Sequence, residues 1–334
     1  VTQTNEAPRS SSEPCPIRIV AWRPGAGATE TADVAELAAI AAEPETRIWV
    51  DAVLPGPDEV RAIAAALGLH PLIAEDIAER NQRAKVETFD EWVHVVLFDI
   101  AYRGEVVTSE LDFVLGPRVL VSVHGPEWDP RRAGGMRGGV GGLLAKGPDY
   151  LLYTLADAVV DAYFPVLDRL AEQIDELQDE VLASATDWAL QRLFVIKREL
   201  LEIRRATSPA REIFNQLTNR EVGAIDETHV VYFRDVYDHL IRVTDELDSY
   251  RELVSGTLDM YLSIVNNTLS RVMKRLTGVT VILAGIGAVA GIFGMSEAGA
   301  AFAGAEATGF WVVTALVVAI AVSAAFVLRR IDWI

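Results

Sequence analysis

The side chains with the most chemistry to offer are acids and histidines set at helical spacing. Asp168, Glu172, Asp175, Glu176, Asp179 and Glu180 fall three, four, seven or eight apart. They crowd one helix face and repel one another unless water or cations screen them. A solvated face and a cation-attracting face read alike at this spacing. Asp235 and His239 are four apart in FRDVYDH, on one side of a helix, where His239 reads first as a stalk contact and second as a partner of the acid. His70, His94, His124, His229 and His239 form no HExxH pair, and neither a nucleophile elbow nor a Walker lysine motif is present. The glycine-rich GGMRGGVGGL (134–143) has no strand before it and no Lys-Ser/Thr, so no phosphate cradle is expected there. An enzyme is not expected. The single cysteine, Cys15, leaves no disulfide framework and no thiolate zinc cluster.

A second set of residues is small rather than charged. Met273, Thr277, Thr280, Ala284, Gly287 and Gly291 follow a 4-3-4-3-4 spacing, which keeps one stripe of a helix facing a common axis. A stripe so small and mildly polar suits the lining of a pore, although Gly287 and Gly291 also read as a small-xxx-small pair that packs two helices. From Thr277 on the stripe lies in residues 276–296, 21 positions without a charge, and a second uncharged run covers 307–328. At 1.5 Å per residue each spans roughly 30 Å, about the bilayer's hydrocarbon core, so two transmembrane helices are predicted. Arg271, Lys274 and Arg275 precede the first span and Arg329 and Arg330 follow the second, while the connector holds only Glu297 and Glu306. By the positive-inside rule both termini are expected in the cytoplasm. Two spans cannot enclose a pore alone, so a channel needs several copies. The second span, rich in Val, Ala and Leu, suits a lipid-facing ring.

The 334 residues predict more than one structural unit. Mean hydropathy is +0.22, too apolar for a disordered chain. Against 48 acidic residues stand 30 basic ones, a net charge of -18, which argues against nucleic-acid phosphates and for cations as partners. All the acids but Glu297, Glu306 and Asp332 precede the first span. Residues 1–15 show no basic start and no apolar run, so a polar, disordered tail is expected and no cleavable signal.

The elements that must hold these residues are of two kinds. Segments 17–22, 47–53, 91–102, 109–116 and 118–125 are β-branched, aromatic or alternating and predict strands, with helices at 57–68 and 71–80. Residues 16–147 therefore read as an α/β domain with a mixed sheet. From 148 to 275 helical periodicity dominates, with breaks signalled at 183–187, Pro209 and Gly223. The last helix runs without proline into the first span, weakened locally by Gly256. An external loop (297–306), the second span and a basic tail (329–334) complete an α+β chain of N-terminal α/β domain, long helical stalk and two C-terminal transmembrane helices.

HPLIAEDIAERNQRAKVETFDEWVHVVLF (70–98), DYLLYTLADAVVDAYFPVL (149–167), YFRDVYDHLIRVTDELDSYRELVSGTLDMYLS (232–263) and VMKRLTGVTVILAGIGAVAGIFGMS (272–296) resemble the CorA-type divalent-cation (magnesium/cobalt) transporter family. The resemblance covers the chain from about residue 70 to its end. It implies a funnel-shaped homopentamer in the inner (plasma) membrane whose first spans line a central pore. Mg2+ is then both transported and regulatory, with Co2+, Ni2+ or Zn2+ next and no organic cofactor. Where the family has Gly-Met-Asn at the pore mouth, this chain has Gly294, Met295 and Ser296. Serine reaches less far than asparagine, so a ring of it is expected to hold hydrated Mg2+ less firmly. Ser270, Ala284, Gly285 and Gly287 stand where the family has asparagine, methionine, proline and threonine, each change making the lining smaller. The implied pore residues are Ser270, Met273, Leu276, Thr277, Thr280, Ala284, Gly287, Gly291, Gly294, Met295 and Ser296.

The resemblance also assigns a control site. Asp76 and Asp235 match carboxylates that bind regulatory metal between neighbouring subunits, and Glu75, Asp157 and Asp161 match a nearby secondary site. Taken alone, these residues read as helix caps or surface acids. Trp333 with Arg329 and Arg330 resembles the family's basic collar, and interfacial anchoring explains it equally well. Two further readings stay open: a membrane-anchored metal sensor or scaffold that has lost conduction through Ser296, and proton-coupled zinc transport.

Overall fold

A computed structural model describes residues 17–219, 223–294 and 308–330. The 1–15 tail, the connector between the spans, Met295, Ser296 and the last four residues lie outside the described residues. Two compact units divide the chain: Val1–Leu177 with Gln191–Ser255, and Gln178–Leu190 with Gly256–Ile334.

Among the described residues the first unit is built on seven strands: β1 (Ile17–Arg23), β2 (Gly27–Thr31), β3 (Arg47–Val53), β4 (Lys85–Phe89), β5 (Trp92–Tyr102), β6 (Val106–Leu115) and β7 (Val119–His124). They form one sheet in the order β2-β1-β3-β7-β6-β5-β4. Only β3 and β7 pair in parallel, so the sheet is mixed, as expected. Among the helices α1 (Leu37–Ala42), α2 (Pro57–Leu67) and α3 (Pro71–Glu79) pack against Ile19, Ile48, Val50, Val114, Val121 and Val123 of one sheet face. The other face is met by α4 (Val140–Leu144) and α5 (Pro148–Asp161). Covering on both faces explains why β7 is buried at every position.

The glycine-rich run packs at two positions, Gly135 and Gly141. A Cβ on Gly135 would come within 2.5 Å of Thr154 Cγ2 on α5, so glycine leaves the room that the Thr154 side chain occupies.

Next come α6 (Tyr163–Ala183), α7 (Asp187–Asn219), α8 (Val230–Gly294) and α9 (Thr308–Arg330). The α6–α7 break falls where expected, and Thr186 Oγ1 accepts the Ala189 N–H at 3.1 Å to cap the new helix. Pro209 does not break α7, contrary to the sequence reading. Its neighbours Ala206, Thr207 and Ala210 are buried, and that packing offsets the hydrogen bond a proline removes. The acid face of α6 is a solvated one that recruits arginines: Arg169 pairs with Glu172 at 2.7 Å and Arg192 with Glu176 at 3.3 Å.

In the second unit α8 continues unbroken through Gly256 to Gly294. Its apolar end is bare, with Leu276 60% exposed. α9 carries no charge before Arg329. Pro148–Ala183 is also apolar and long enough to cross a bilayer, but its most apolar stretch is 56% buried in protein, against 6% for that of Val230–Gly291. The first therefore belongs to a core, while the second needs lipid or other chains around it.

Candidate metal centres

Two clusters of ligand-type side chains emerge from the first unit, and each contains residues implied by the resemblance. The first joins α5 to α8. Asp157 and Asp161 are four apart on α5 and share a face, and His239 comes from α8. His239 Nδ1 lies 3.5 Å from Asp161 Oδ1 and 3.8 Å from Asp157 Oδ1. Asp157 Oδ1 and His239 Nδ1 are both buried and have no hydrogen-bond partner among the described residues. Burial first, and then the charge of Asp161, push the Asp157 carboxyl up to about 6, against the pull of His239. A cavity of about 370 Å³ is lined by Asp157 and Asp161 together with Tyr153 and Arg132. Two carboxylates that repel and an imidazole with an idle nitrogen are a donor set that a divalent cation satisfies. His239 thus meets Asp157 and Asp161 as well as lying along the stalk helix.

The second cluster arises from strand register. Pairing places Lys85 opposite Val96 and Glu87 opposite His94, while His94 and Val96 face Val114 and Asp112. Directly opposed residues project to the same side of a sheet, so Lys85, Glu87, His94 and Asp112 share the face that α3 covers. Asp76 hangs from α3 above them. Lys85 Nζ lies 2.6 Å from Asp76 Oδ2 and 2.6 Å from Glu87 Oε2. Burial works to lower the Lys85 ammonium, but its bonds to Asp76 and Glu87 outweigh it and hold the pKa above the ordinary value. Beneath, His94 Nε2 lies 2.9 Å from Asp112 Oδ1 with both side chains fully buried. Neither Glu87 nor His94 was singled out as a ligand from the sequence, because only the β4–β5 register brings them to Asp76.

Within one chain the structure does not bring Asp76 and Asp235 into a common ligand cluster. Asp235 is exposed on α8 one turn before His239, and Glu75 is exposed on α3. Ser270, Met273, Leu276, Thr277, Thr280, Ala284, Gly287 and Gly291 are all exposed along α8, and Gly294 is its last residue. Thr280 Oγ1 donates to Leu276 O at 2.8 Å, so this hydroxyl is satisfied by its own helix. Of the remaining histidines, His70 caps α3, His124 bonds Asp51, and His229 Nδ1 lies 2.7 Å from Asp149 Oδ2.

A family model described as "CorA-like Mg2+ transporter protein" matches residues 44–330. The chain belongs to this CorA-like family. The cobalt/magnesium transport protein CorA of Thermotoga maritima is 36% identical over 258 residues, which cover 75% of this chain and 73% of the relative. The complete structure of the CorA magnesium transporter from Methanocaldococcus jannaschii superposes with a TM-score of 0.76 at 20% identity, covering 95% of this chain and 98% of that one. The full-length CmaX structure gives a TM-score of 0.72, also at 20% identity, over 97% and 100%. The α/β unit, the long α8 with its apolar end and the apolar α9 are therefore the CorA fold. Membership places the chain among divalent-cation transport proteins of the membrane.

Proposed function

We propose that this CorA-like chain conducts divalent cations, Mg2+ first and Co2+, Ni2+ or Zn2+ after it, through a homopentameric pore lined by the C-terminal part of α8. Metal held between neighbouring subunits at Asp76 and Asp235 closes the pore, with Glu75, Asp157 and Asp161 as a secondary site. The observation that carries this reading is α8 itself. One unbroken helix bears Asp235 and His239 near its start and the exposed small-residue stripe from Ser270 to Gly291 near its end. The Thermotoga maritima relative is a cobalt/magnesium transport protein, which supports the choice of ions.

Empty, the opposed carboxylates repel; filled, they are bridged, so occupancy reports internal metal. An inward-negative potential supplies about 4.6 kcal/mol per 100 mV to a divalent ion, twice the single-charge figure. No nucleotide is needed. Both termini are cytoplasmic in this reading, from the basic residues flanking the two spans. The orphaned nitrogen of His239 beside Asp157 and Asp161 fits the secondary site, since a cation there would occupy polar atoms that otherwise have no partner.

The test is metal-by-metal uptake into liposomes carrying the full chain. Flux of Mg2+, Co2+, Ni2+ or Zn2+ above protein-free liposomes supports a channel, and loss of inhibition by internal Mg2+ on replacing Asp76 and Asp235 together by alanine supports the gate. Silence to all four ions rejects conduction. A silent protein that gains Mg2+ flux on Ser296→Asn is a sensor whose pore mouth has been altered. Zn2+ flux that follows a pH gradient identifies proton coupling instead.

A further inference from the structure

We propose that Asp76, Glu87 and His94 of a single chain form a binding site for a first-row transition-metal dication, Co2+, Ni2+ or Zn2+, and that the Lys85 ammonium is the cation such a metal displaces. One ligand atom from each of the three residues lies within 4.8 Å of the others. Acids alone would not make a site. The deciding feature is His94, which is fully buried and whose Nδ1 has no hydrogen-bond partner among the described residues.

That nitrogen is oriented for coordination. Asp112 Oδ1 accepts from His94 Nε2 at 2.9 Å, which places the ring proton on Nε2 and leaves the Nδ1 lone pair facing Asp76 Oδ2, 3.9 Å away. A buried carboxylate behind an imidazole is the arrangement that fixes the tautomer and raises the basicity of metal-ligating histidines. Two ligands held at about 2.1 Å by a tetrahedral ion lie about 3.4 Å apart, so the 3.9 Å gap closes by about 0.5 Å when a metal binds. Lys85 now bridges the two carboxylates but makes no bond to the imidazole. A metal can satisfy all three donors, and the Lys85 side chain, 25% exposed, has a route to water when it leaves.

The donor set selects the ion. Imidazole nitrogen suits Co2+, Ni2+ and Zn2+, whereas Mg2+ demands oxygens in near-octahedral array and gives up its water reluctantly. The site shares Asp76 with the proposed intersubunit pair, but it needs neither Asp235 nor a second chain. Transition metal bound here therefore competes with that pair for one carboxylate.

The experiment is a Co2+ titration of the full-length chain in detergent, followed by calorimetry and by the visible spectrum of nitrogen-ligated Co2+. It is made in a background carrying Asp161→Asn, Asp235→Asn and His239→Gln, which takes ligands from both of the other proposed sites. The expected result is one Co2+ per chain with a changed visible band, not displaced by excess Mg2+. Glu87→Gln, at an exposed position, and Asp112→Asn, behind the ligand, should each weaken binding about tenfold or more. Lys85→Met should tighten it by removing the competitor. Absence of this Co2+ from the background protein overturns the proposal, and so does a titration that Glu87→Gln and Lys85→Met both leave unchanged. Failure of the intersubunit gate appears separately, as Mg2+ inhibition of flux that survives Asp235→Asn while this titration stays intact.

Discussion

His94 and Asp112 are joined beneath α3 by a 2.9 Å hydrogen bond between two side chains with no exposed surface. Removing the acceptor strands a buried N–H that water cannot reach, so the loss is larger than the net worth of one bond. Asp112→Ala is expected to destabilise the first unit by about 2–3 kcal/mol. Asp112→Asn, whose amide oxygen still accepts, should cost about half as much. Urea unfolding of the purified chain, followed by tryptophan fluorescence, checks the order.

The same face holds a carboxyl with an unusual proton affinity. Burial first, and then the charge of Asp112, push Glu110 up to about 7, against the pull of the Gln82 N–H and Arg80. Between its ordinary value of 4.5 and about 7 the folded state keeps a proton that the unfolded state has lost. This group's contribution to stability therefore falls as pH rises through that window. Glu110→Gln should flatten the decline, leaving the variant more stable relative to wild type at pH 8 than at pH 5. Melting temperatures across that range measure it, and parallel curves for the two proteins would contradict it.

Five strands were legible because they alternate β-branched and aromatic residues. The two that were not, β2 (GATET) and β4 (KVETF), are the edges of the sheet, where no residue must bury an apolar side chain on both faces and the hydrophobic signal is weak. That gap had a functional consequence. Without β4 there is no register to place Glu87 opposite His94, and the Asp76 cluster stays invisible. Asp157, Asp161 and Asp76 were reached through resemblance, since the chain alone offered them only as surface acids. The bilayer spans, by contrast, follow from length and charge alone. Pro209 misled because a local rule about proline is weaker than the buried packing of Ala206 and Ala210 around it.

The start of α8 is fastened through one carboxylate. Asp149 Oδ2 accepts from His229 Nδ1 at 2.7 Å and from the Asp226 N–H at 2.9 Å. Gly147 precedes it at φ +153, and a Cβ there would strike Asp149 Oδ1. Gly147→Ala should combine backbone strain with displacement of that carboxylate, at about 1–3 kcal/mol. Asp149→Ala removes the fastening without the strain. Both variants should be cut faster than wild type by a protease within residues 223–229, and an unchanged cleavage rate for Asp149→Ala would show that the fastening is idle.

Asp157, pushed up to about 6 by burial and by Asp161, makes cation binding at the α5–α8 cluster depend on pH. Below about 6 the carboxyl holds a proton that an incoming cation must expel, so affinity falls as pH falls through that value. Above it the folded state carries a charge disfavoured by burial, a cost to stability that grows from the ordinary value of 3.8 upward. Bound metal offsets that cost. The rise in melting temperature given by saturating Mg2+ should therefore be larger at pH 7.5 than at pH 5.5. Asp157→Asn, which keeps the size and removes the titration, should lose most of the difference, while Asp161→Asn should move its midpoint downward by relieving the repulsion on Asp157. A Mg2+ effect equal at both pH values in the wild type, measured in the full-length chain, would place bound Mg2+ somewhere other than beside His239.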